Sequence, residues 1–372
     1  MPLSLYLHIP FCLSKCPYCD FASIPYDGNL VNNYLSALLS EIKSFSGRKV
    51  DTLYLGGGTP TVLKLEQLDK IIRAVKGHYI LTPNCEMTIE ANPNTLDQSK
   101  SKALRRMGFN RISLGIQSFN DRELKVLGRI HNAAQAIQSF DMLKAGGFEN
   151  IGLDLIFGIP SQTIKSWKSS LEKAAGLFPQ HISTYSLTLE AGTKFYQMRK
   201  QGKLRLPSDE KVRQMYLCSI DYLSSRGHRQ YEISNFCLPG FESQHNLKYW
   251  NHKEYLGFGA SAHSFCKNKR WGNTRGVKEY IESMKEKGKA IEFEEDLSKE
   301  QLITEAIFLG LRKNDGINLK RFYKDFRVKL ENTKEEKINH LMKMGFLLKR
   351  GNSLRLTKKA LPVADSIIVS LL

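Results

Sequence analysis

The sequence predicts an α/β protein with a partial (β/α)6 barrel, TIM-like in architecture, and a C-terminal helical, winged-helix-like domain. Six short runs that are apolar on both faces alternate with amphipathic helix patterns, as buried parallel strands and their connecting helices do. Polar and ligand-type residues follow the ends of several of these strands, which is where barrel enzymes keep their sites. The final segment changes to helices followed by a hairpin pattern.

The barrel elements are predicted in chain order from this periodicity. The predicted strands are Leu3–Ile9, Thr52–Gly56, Glu86–Ala91, Arg111–Ile116, Ile151–Phe157 and His181–Leu187. The predicted helices are Leu30–Phe45, Leu65–Lys76, Asp97–Met107, Ala133–Ala145, Ser166–Ala174 and Asp209–Ser225. Together they assign residues 1–230 to the barrel.

The rest of the chain divides into two predicted parts. Residues 231–290 form a connecting segment, irregular up to about residue 275 and rich in aromatic residues, Gly and His. Residues 291–372 form the winged-helix-like domain, with helices at Leu302–Leu311, Leu319–Phe326 and Lys334–Met344 and a hairpin at Phe346–Leu356. A Gly-Asn turn marks the hairpin. Such modules often bind DNA, but no recognition helix is evident, so nucleic acid is not expected as a partner.

Composition limits the class of protein. A chain of 372 residues is long enough for two domains. Its net charge of +18 suits an anionic partner such as nucleic acid, a membrane surface, or a polycarboxylate or phosphate ligand. Much of the positive charge is interleaved with acidic residues, so it indicates no specific partner. No secretory signal or membrane-spanning run is present, and the seven cysteines are odd in number. A reducing cytoplasm is therefore the expected compartment.

The most informative motif is a group of three cysteines, Cys12, Cys16 and Cys19, directly after the first strand. Three thiolates on one loop can bind three corners of a 4Fe-4S cluster, and a missing fourth ligand leaves one iron open to a small molecule. A zinc site completed by His8 or by a more distant cysteine remains an alternative. The other four cysteines are expected to be inert.

A second signal is the glycine run that follows the second strand, Gly56-Gly57-Gly58-Thr59-Pro60. Glycines at a strand end leave backbone N–H groups bare and allow a ligand to approach closely. A tight turn explains such a run equally well, and its position at the same barrel rim as the cysteines favours the ligand. Glu90 and Gln117 end the next two strands at that rim.

Together these motifs resemble the radical S-adenosylmethionine (SAM) superfamily. The segments Leu5–Cys12, Gly115–Phe119, Leu127–Arg129 and Asp154–Pro160 resemble, more narrowly, the oxygen-independent coproporphyrinogen III oxidase group. The resemblance implies that the open iron binds the amino and carboxylate groups of SAM. It also implies that the reduced cluster can cleave SAM to a 5′-deoxyadenosyl radical.

The resemblance also implies roles for residues near the cluster. Tyr6 would lie against the cluster and SAM, and Tyr18 would stack near the adenine. Gly57, Gly58 and Thr59 would meet the SAM amino group through backbone and hydroxyl groups.

Four further residues would complete the SAM site. Glu90 would accept hydrogen bonds from the ribose, and Gln117, Arg129 and Asp154 would form a polar wall, with Arg129 able to pair with a carboxylate. Each has an ordinary structural alternative: Glu90, for example, could serve a helix N-terminus and Arg129 a surface ion pair.

Two features depart from the oxidases and match their sister group, the radical SAM haem chaperones of the HemW type. Phe21 occupies the position of a fourth cysteine, and few residues precede Cys12 where the oxidases have a long extension. The sister group also carries the motif found here as His245-Asn246-Leu247-Lys248-Tyr249-Trp250. The resemblance therefore implies His245 as an axial haem ligand, with His252 and His263 as other possibilities. A buried structural histidine beside a core aromatic pair is the alternative, and the residues alone favour it.

The expected function is a haem chaperone that holds a 4Fe-4S cluster, SAM and haem and delivers haem to acceptor haemoproteins at a membrane surface. The rival is a coproporphyrinogen III oxidase of porphyrin biosynthesis, an activity that Phe21 and the short N-terminus argue against.

Overall fold

The computed structural model describes residues 2–372 and contains seventeen strands in that part of the chain. They are β1 (Leu3–Ile9), β2 (Phe11–Cys12), β3 (Ile24–Pro25), β4 (Lys49–Gly57), β5 (Ile80–Ala91), β6 (Arg111–Gln117), β7 (Ile151–Phe157), β8 (His181–Ser186), β9 (Arg229–Gln230), β10 (Asn235–Cys237), β11 (Tyr255–Phe258), β12 (His263–Cys266), β13 (Lys269–Asn273), β14 (Ile291–Asp296), β15 (Ile317–Asn318), β16 (Leu347–Arg350) and β17 (Ser353–Leu356).

Fifteen α-helices are found in the same described residues. They are α1 (Gly28–Ile42), α2 (Leu65–His78), α3 (Gln98–Met107), α4 (Asp121–Val126), α5 (Ala133–Ala145), α6 (Ile164–Gly176), α7 (Lys194–Lys200), α8 (Asp209–Ser225), α9 (Gln244–Trp250), α10 (Val277–Lys287), α11 (Lys299–Leu311), α12 (Leu319–Phe326), α13 (Leu330–Thr333), α14 (Glu335–Lys343) and α15 (Ala364–Leu371). No helix in this range is long and apolar enough to cross a bilayer.

The main sheet has twelve strands in the order β14-β13-β12-β11-β1-β4-β5-β6-β7-β8-β10-β9. The run from β1 through β4 to β8 is parallel throughout, and each strand is joined to the next by one or two helices on the outside. This confirms the predicted α/β class and the partial barrel of six βα units. The parallel strands place their carboxyl ends at one rim, where the cysteine loop and the glycine run meet.

All six predicted barrel strands are present, and the main differences lie at their ends. β5 begins at Ile80, six residues before its predicted start, because its first half is exposed and interrupted by Pro83 and so lacks an apolar pattern. The short helices α4 and α7 were not predicted. Both begin at a capping side chain, that of Asn120 and that of Thr193, rather than at an apolar stripe.

The prediction of an irregular segment near residues 230–275 was wrong. β11 pairs in parallel with β1, and β12, β13 and β14 continue the same sheet by antiparallel pairing. These strands are only four to six residues long and contain glycine and charged side chains, so their alternation is short and weak. Helix α9, which carries the His-Asn-Leu-Lys-Tyr-Trp motif, packs against β4 and α11.

The barrel core lies between the strands and a layer of helices. Strand side chains such as Leu5, Leu7, Leu53 and Leu55 are fully buried. On the outside α1 packs against α2, α2 against α3, and α3 against α5. The burial of both faces explains why the parallel strands are almost continuously apolar.

The C-terminal region forms its own hydrophobic cluster from α11 to α15 and a three-stranded sheet in the order β15-β17-β16. The predicted hairpin is confirmed, since β16 and β17 pair across the Gly351-Asn352 turn and Gly351 has a φ of 58°. Ile233 and Leu361 pack against both this cluster and the barrel core. The module therefore packs against the barrel, and α11 contacts α9.

Candidate active site

A cavity of about 480 Å³ opens at the carboxyl ends of the parallel strands. Ten of the thirteen residues that the sequence singled out line it: Cys12, Cys16, Tyr18, Cys19, Gly57, Gly58, Glu90, Gln117, Arg129 and Asp154. The fold thus brings together side chains that are up to 142 positions apart in the chain (Asp154 minus Cys12). Tyr6, Thr59 and His245 lie outside the lining.

The cysteine loop is closed at its base. β2 and β3 form a short parallel pair that joins Phe11 to Ile24, and the Cys19 N–H donates to the Cys16 carbonyl at 3.1 Å. Lys15 Nζ donates to the Ser23 carbonyl at 3.1 Å across the loop. All three thiols are partly buried, and burial raises the pKa of the Cys12 and Cys19 thiols. Binding iron as thiolates therefore releases protons.

His8 does not serve a zinc site here. Its Nε2 donates to the Ala22 carbonyl at 2.8 Å, so Nδ1 is left to accept the Tyr6 hydroxyl at 3.0 Å. Burial lowers the pKa of the His8 imidazole, which keeps it neutral in this arrangement. Within residues 2–372 no three His, Cys, Asp or Glu side chains converge on one metal ion. Tyr6 and His8 instead support the cysteine loop from beneath.

The glycine run meets the cysteine loop through its N–H groups. Gly58 N–H donates to the Ile9 carbonyl at 2.9 Å and Thr59 N–H to the Phe11 carbonyl at 2.8 Å. Gly57 N–H donates to Glu90 Oε2 at 3.1 Å. The expectation that these N–H groups stay bare for a ligand was therefore wrong. They are occupied by the protein, and only backbone carbonyls remain to face a bound amino group.

The same contacts explain why glycine is required at two of these positions. Gly57 has a φ of 111°, and a Cβ there would lie 2.5 Å from the His8 ring. A Cβ on Gly58 would lie 2.7 Å from the Phe11 carbonyl oxygen. A side chain at Gly57 would displace the His8 ring on β1, and one at Gly58 would displace the Phe11 backbone at the start of the cysteine loop.

Thr59 lies behind the cysteines rather than in the cavity. Its Oγ1 donates to Cys12 Sγ at 3.6 Å and accepts from Asn92 Nδ2 at 2.7 Å. The hydroxyl is thus positioned to stabilise negative charge on the Cys12 sulfur.

Arg129 connects the cysteine loop to two strand ends. Its Nη1 donates to Cys16 Sγ at 3.5 Å, while Nη2 donates to Asn92 Oδ1 at 2.5 Å and to the Gly115 carbonyl at 2.7 Å. Gly128 allows this approach, since a Cβ there would lie 2.7 Å from Pro17 of the loop. The buried Nε of Arg129 has no hydrogen-bond partner within residues 2–372.

Glu90 is the acidic centre of the cavity. Tyr54 donates its hydroxyl to Glu90 Oε1 at 2.7 Å, opposite the bond from Gly57. Burial raises the pKa of Glu90 to about 7, although the Tyr54 hydrogen bond works in the other direction. A carboxylate held at this pKa both accepts hydrogen bonds and exchanges a proton near neutral pH.

Gln117 and Asp154 form the adjoining wall. The register of β6 and β7 shifts between Gly115 and Gln117, and Gln117 has a φ of 71°. This bulge turns the Gln117 side chain toward the cavity. Asp154 accepts from Ser113 Oγ at 2.9 and 3.1 Å, and burial raises the pKa of its carboxyl group.

Tyr18 lies where the cysteine loop meets α7. Its ring packs at 6.2 Å from that of Phe195, and the Phe195 N–H donates to the Pro17 carbonyl at 2.9 Å. α7 therefore holds this part of the loop, and one face of the Tyr18 ring borders the cavity.

His245 lies apart from the cavity and is only 1 % exposed. Its Nδ1 shares a hydrogen bond with the Thr52 hydroxyl and its Nε2 one with the Tyr249 hydroxyl, each at 2.9 Å. The ring stacks on Tyr54 at 5.0 Å between centroids. Burial lowers the pKa of His245 to about 3, so the imidazole stays neutral. Neither nitrogen is free for haem iron in this arrangement, which argues against the predicted axial role.

The other two candidate histidines differ in setting. His252 has a φ of 51°, and its Nε2 donates to Glu305 Oε2 at 3.1 Å. His263 is exposed on β12 near Phe293. Neither borders the cavity at the cysteines.

Sequence reasoning missed two residues that organise the site. Tyr54 joins Glu90 to His245, and Asn92 joins Arg129 to Thr59. An aromatic residue inside an apolar strand looks like a core residue, so Tyr54 gave no signal. Asn92 comes directly after the last residue of β5, and only this position at a strand end could have predicted that it belongs to the site.

The residues of the cavity fit a site-differentiated cluster with a SAM ligand. Three thiols line one wall, and the Arg129 side chain and the Glu90 carboxylate line the others. A guanidinium N–H suits a carboxylate, and Glu90 suits ribose hydroxyls.

Comparison with known proteins agrees with this geometry. Residues 6–174 match the Radical SAM superfamily, and residues 297–363 match the HemN C-terminal domain. The fold matches the solved structure of coproporphyrinogen III oxidase (HemN) from Escherichia coli with a TM-score of 0.87, at 24 % identity, over 100 % of this chain and 90 % of that one. At this identity the match establishes the fold alone.

Curated relatives are more similar in sequence. The protein named heme chaperone HemW of Lactococcus lactis is 40 % identical over 98 % of this chain and 96 % of its own length. The protein of that name in Bacillus subtilis is 38 % identical, with 95 % of each chain covered. The chain therefore belongs to the HemW family of the radical SAM superfamily.

Proposed function

We propose that the protein is a haem chaperone that holds a 4Fe-4S cluster and SAM at the strand-end cavity and delivers haem to acceptor haemoproteins. The observation that carries the proposal is the convergence of Cys12, Cys16 and Cys19 with Arg129 and Glu90 on one cavity, in a chain that matches proteins named heme chaperone over nearly its whole length.

Three thiolates would bind three irons and leave the fourth for SAM. Arg129 and Thr59 support this assignment, since each donates a hydrogen bond to a cysteine sulfur. Such bonds stabilise thiolate charge and are among the features that set the potential of iron–sulfur centres. When bound and reduced, the cluster would supply one electron for the reductive cleavage of SAM.

The protein's own part is to bind and orient SAM. We assign the SAM carboxylate to the guanidinium group of Arg129, and the amino group to the carbonyls of Gly57 and Gly58. The ribose hydroxyls go to Glu90 and the adenine to the free face of Tyr18.

The remaining predicted residues support these contacts. Gln117 and Asp154 complete the polar wall beside Glu90, and Asp154 is held by Ser113. Tyr6 acts from beneath: through its bond to His8 it fixes the loop that carries the cysteines.

Haem is the cargo in this proposal, and acceptor haemoproteins are the partners. Peripheral contact with a membrane surface, where such acceptors could be met, is part of the same proposal; the net charge of +18 is compatible with it but does not single it out. The cytoplasm remains the expected compartment, in line with cysteines that are all free in the part of the chain described.

One experiment separates the chaperone from the oxidase. Anaerobically reconstituted protein is given ferric haem and an apo-haemoprotein in one reaction, and coproporphyrinogen III with reductant and excess SAM in another. The proposal predicts haem transfer and no decarboxylated porphyrin by chromatography. Repeated turnover of coproporphyrinogen III without haem transfer would contradict it.

A further inference from the structure

A second depression lies on the opposite side of α9 from the barrel core. It measures about 430 Å³ and is bordered by α9, α11 and α12. A neighbouring cavity of about 410 Å³ shares His252, Lys253 and Phe265 with it. We call the two together the α9–α12 groove. None of its lining residues lines the cavity at the cysteines.

One wall of the groove is apolar and contains Trp250, Phe265, Leu302, Phe322 and Phe326. Phe265, Leu302 and Phe326 pack together in one small cluster, so this wall is continuous, with Trp250 and Phe326 its half-buried aromatic residues. A continuous wall with aromatic faces suits a flat apolar ligand better than a compact ion. The indole Nε1 of Trp250 is buried without a hydrogen-bond partner within residues 2–372.

The larger depression is lined by more cations than acids, with Lys248, Lys253, Lys313 and Arg321 against Glu254 and Asp325. Within residues 2–372 the side-chain amine of Lys253 makes no hydrogen bond or ion pair, and Lys313 Nζ donates only to the neutral Asn251 Oδ1 at 2.6 Å. Arg321 lies 3.6 Å from Asp325, which is longer than a hydrogen bond. Lys248, by contrast, is paired with Asp51 at 2.5 Å.

These cations repel one another across the groove. Burial lowers the pKa of both Lys253 and Lys313, and the nearby Arg321 lowers it further. A dianion at the rim would relieve this repulsion, because charge-assisted hydrogen bonds are the stronger kind.

We propose that the α9–α12 groove is the cargo site, with the haem macrocycle against the aromatic walls and its two propionates on Lys253, Lys313 and Arg321. The proposal rests on the proposed haem-carrying function and adds its location. It accounts for the position of the Tyr-Trp pair of the α9 motif, since Tyr249 and Trp250 both line the groove while His245 faces the core.

The proposed binding does not depend on a protein ligand to the haem iron. His252 is the histidine of the groove wall, but its Nε2 is held by Glu305, which Arg270 clamps at 2.5 and 2.8 Å. Binding through carboxylates and apolar faces predicts that iron-free protoporphyrin IX binds as well as haem does, and that its dimethyl ester does not.

The test measures porphyrin binding by fluorescence to the reconstituted full-length protein. The charge-reversed variant carries Lys253→Glu and Arg321→Glu. The neutral variant carries Lys253→Gln and Arg321→Gln, and it tests the same two positions if charge reversal prevents folding. The matched control is Lys267→Glu with Lys320→Glu, two exposed lysines outside the groove, one of them next to Arg321 on α12. Cluster content and melting temperature verify that each variant is folded.

We expect protoporphyrin IX to bind the charge-reversed variant at least about tenfold more weakly than it binds the wild type. We expect the dimethyl ester to bind the wild type at least about tenfold more weakly than protoporphyrin IX does. A tenfold loss of affinity corresponds to about 1.4 kcal/mol. The neutral variant should lose roughly fivefold, and the control less than about twofold. If wild type binds haem but both groove variants bind like the control, the groove assignment is wrong and the chaperone proposal stands. If wild type binds neither haem nor porphyrin, the proposed function itself fails. Equal binding of acid and ester would also overturn the assignment.

Discussion

Replacing His245 by Ala should destabilise the fold and leave haem spectra unchanged. The side chain is buried, stacks on Tyr54 and shares hydrogen bonds with Thr52 and Tyr249. Truncation would open a cavity in the core, and the Thr52 hydroxyl, itself buried, would lose its partner. Cavity formation by a large ring costs about 3–5 kcal/mol and an unpaired buried hydroxyl about 1–3 kcal/mol.

These two free-energy costs overlap, because the cost of removing the imidazole ring already includes part of the cost of losing its hydrogen bonds. We therefore expect a cost of about 3–6 kcal/mol in total. For a chain of this size such a cost lowers the melting temperature by on the order of 5–10 °C. His245→Phe fills most of the volume but still unpairs both hydroxyls, so it should cost about half as much.

The assay combines a melting curve with a haem titration at a temperature at which every variant is folded. The account predicts a lower melting temperature with an unchanged Soret position and affinity. An iron ligand would show the reverse pattern. His245→Ala with a wild-type melting temperature and a lost or shifted Soret band would refute the structural role argued for this residue.

Three further predictions concern the cavity at the cysteines. Glu90→Gln should stabilise the cluster-free protein above pH 7 by up to about 3 kcal/mol, since the folded pKa is about 7 against an ordinary value of 4.5. Wild-type Glu90 binds a proton more tightly in the folded state than in the unfolded state, so the stability gained by the substitution should fade as pH drops from 7 to 4.5. Melting curves that show the same gain at both pH values would contradict this prediction. Arg129→Lys keeps the positive charge but loses the two hydrogen bonds that the guanidinium group donates to Asn92 and to the Gly115 carbonyl. Calorimetry should show SAM binding weakened by roughly 10–100-fold with cluster content retained. Unchanged affinity for SAM would show that Arg129 does not belong to the SAM site. Phe21→Cys, at a rim position that is 65 % exposed, should not create coproporphyrinogen III oxidase activity, and any protoporphyrinogen on chromatography would count against this prediction.

The barrel could be predicted because its strands are short, buried on both faces and separated by amphipathic helices. Ile151–Phe157 and Ala133–Ala145 were placed to the residue for this reason. β11 to β14 could not be found, since their pairing depends on contacts with β1 and with each other rather than on a local pattern.

The cavity was predictable where residue type limits the chemistry. A purely structural role rarely requires three closely spaced cysteines together with a carboxylate at a strand end, so this combination predicted a functional site. His245 shows the limit of this reasoning. An imidazole beside two aromatic residues suits both haem and a hydrogen-bonded core, and only the positions of Thr52 and Tyr249 distinguish the two.

The account depends most on an open iron at the three cysteines that accepts SAM. The direct measurement is iron and sulfide analysis of anaerobically reconstituted protein, followed by electron paramagnetic resonance of the reduced cluster with and without SAM. The account predicts about four iron and four sulfide per chain, a spectrum that changes on adding SAM, and loss of both in Cys16→Ser. Normal cluster content in Cys16→Ser, or a wild-type cluster whose spectrum ignores saturating SAM, would contradict it.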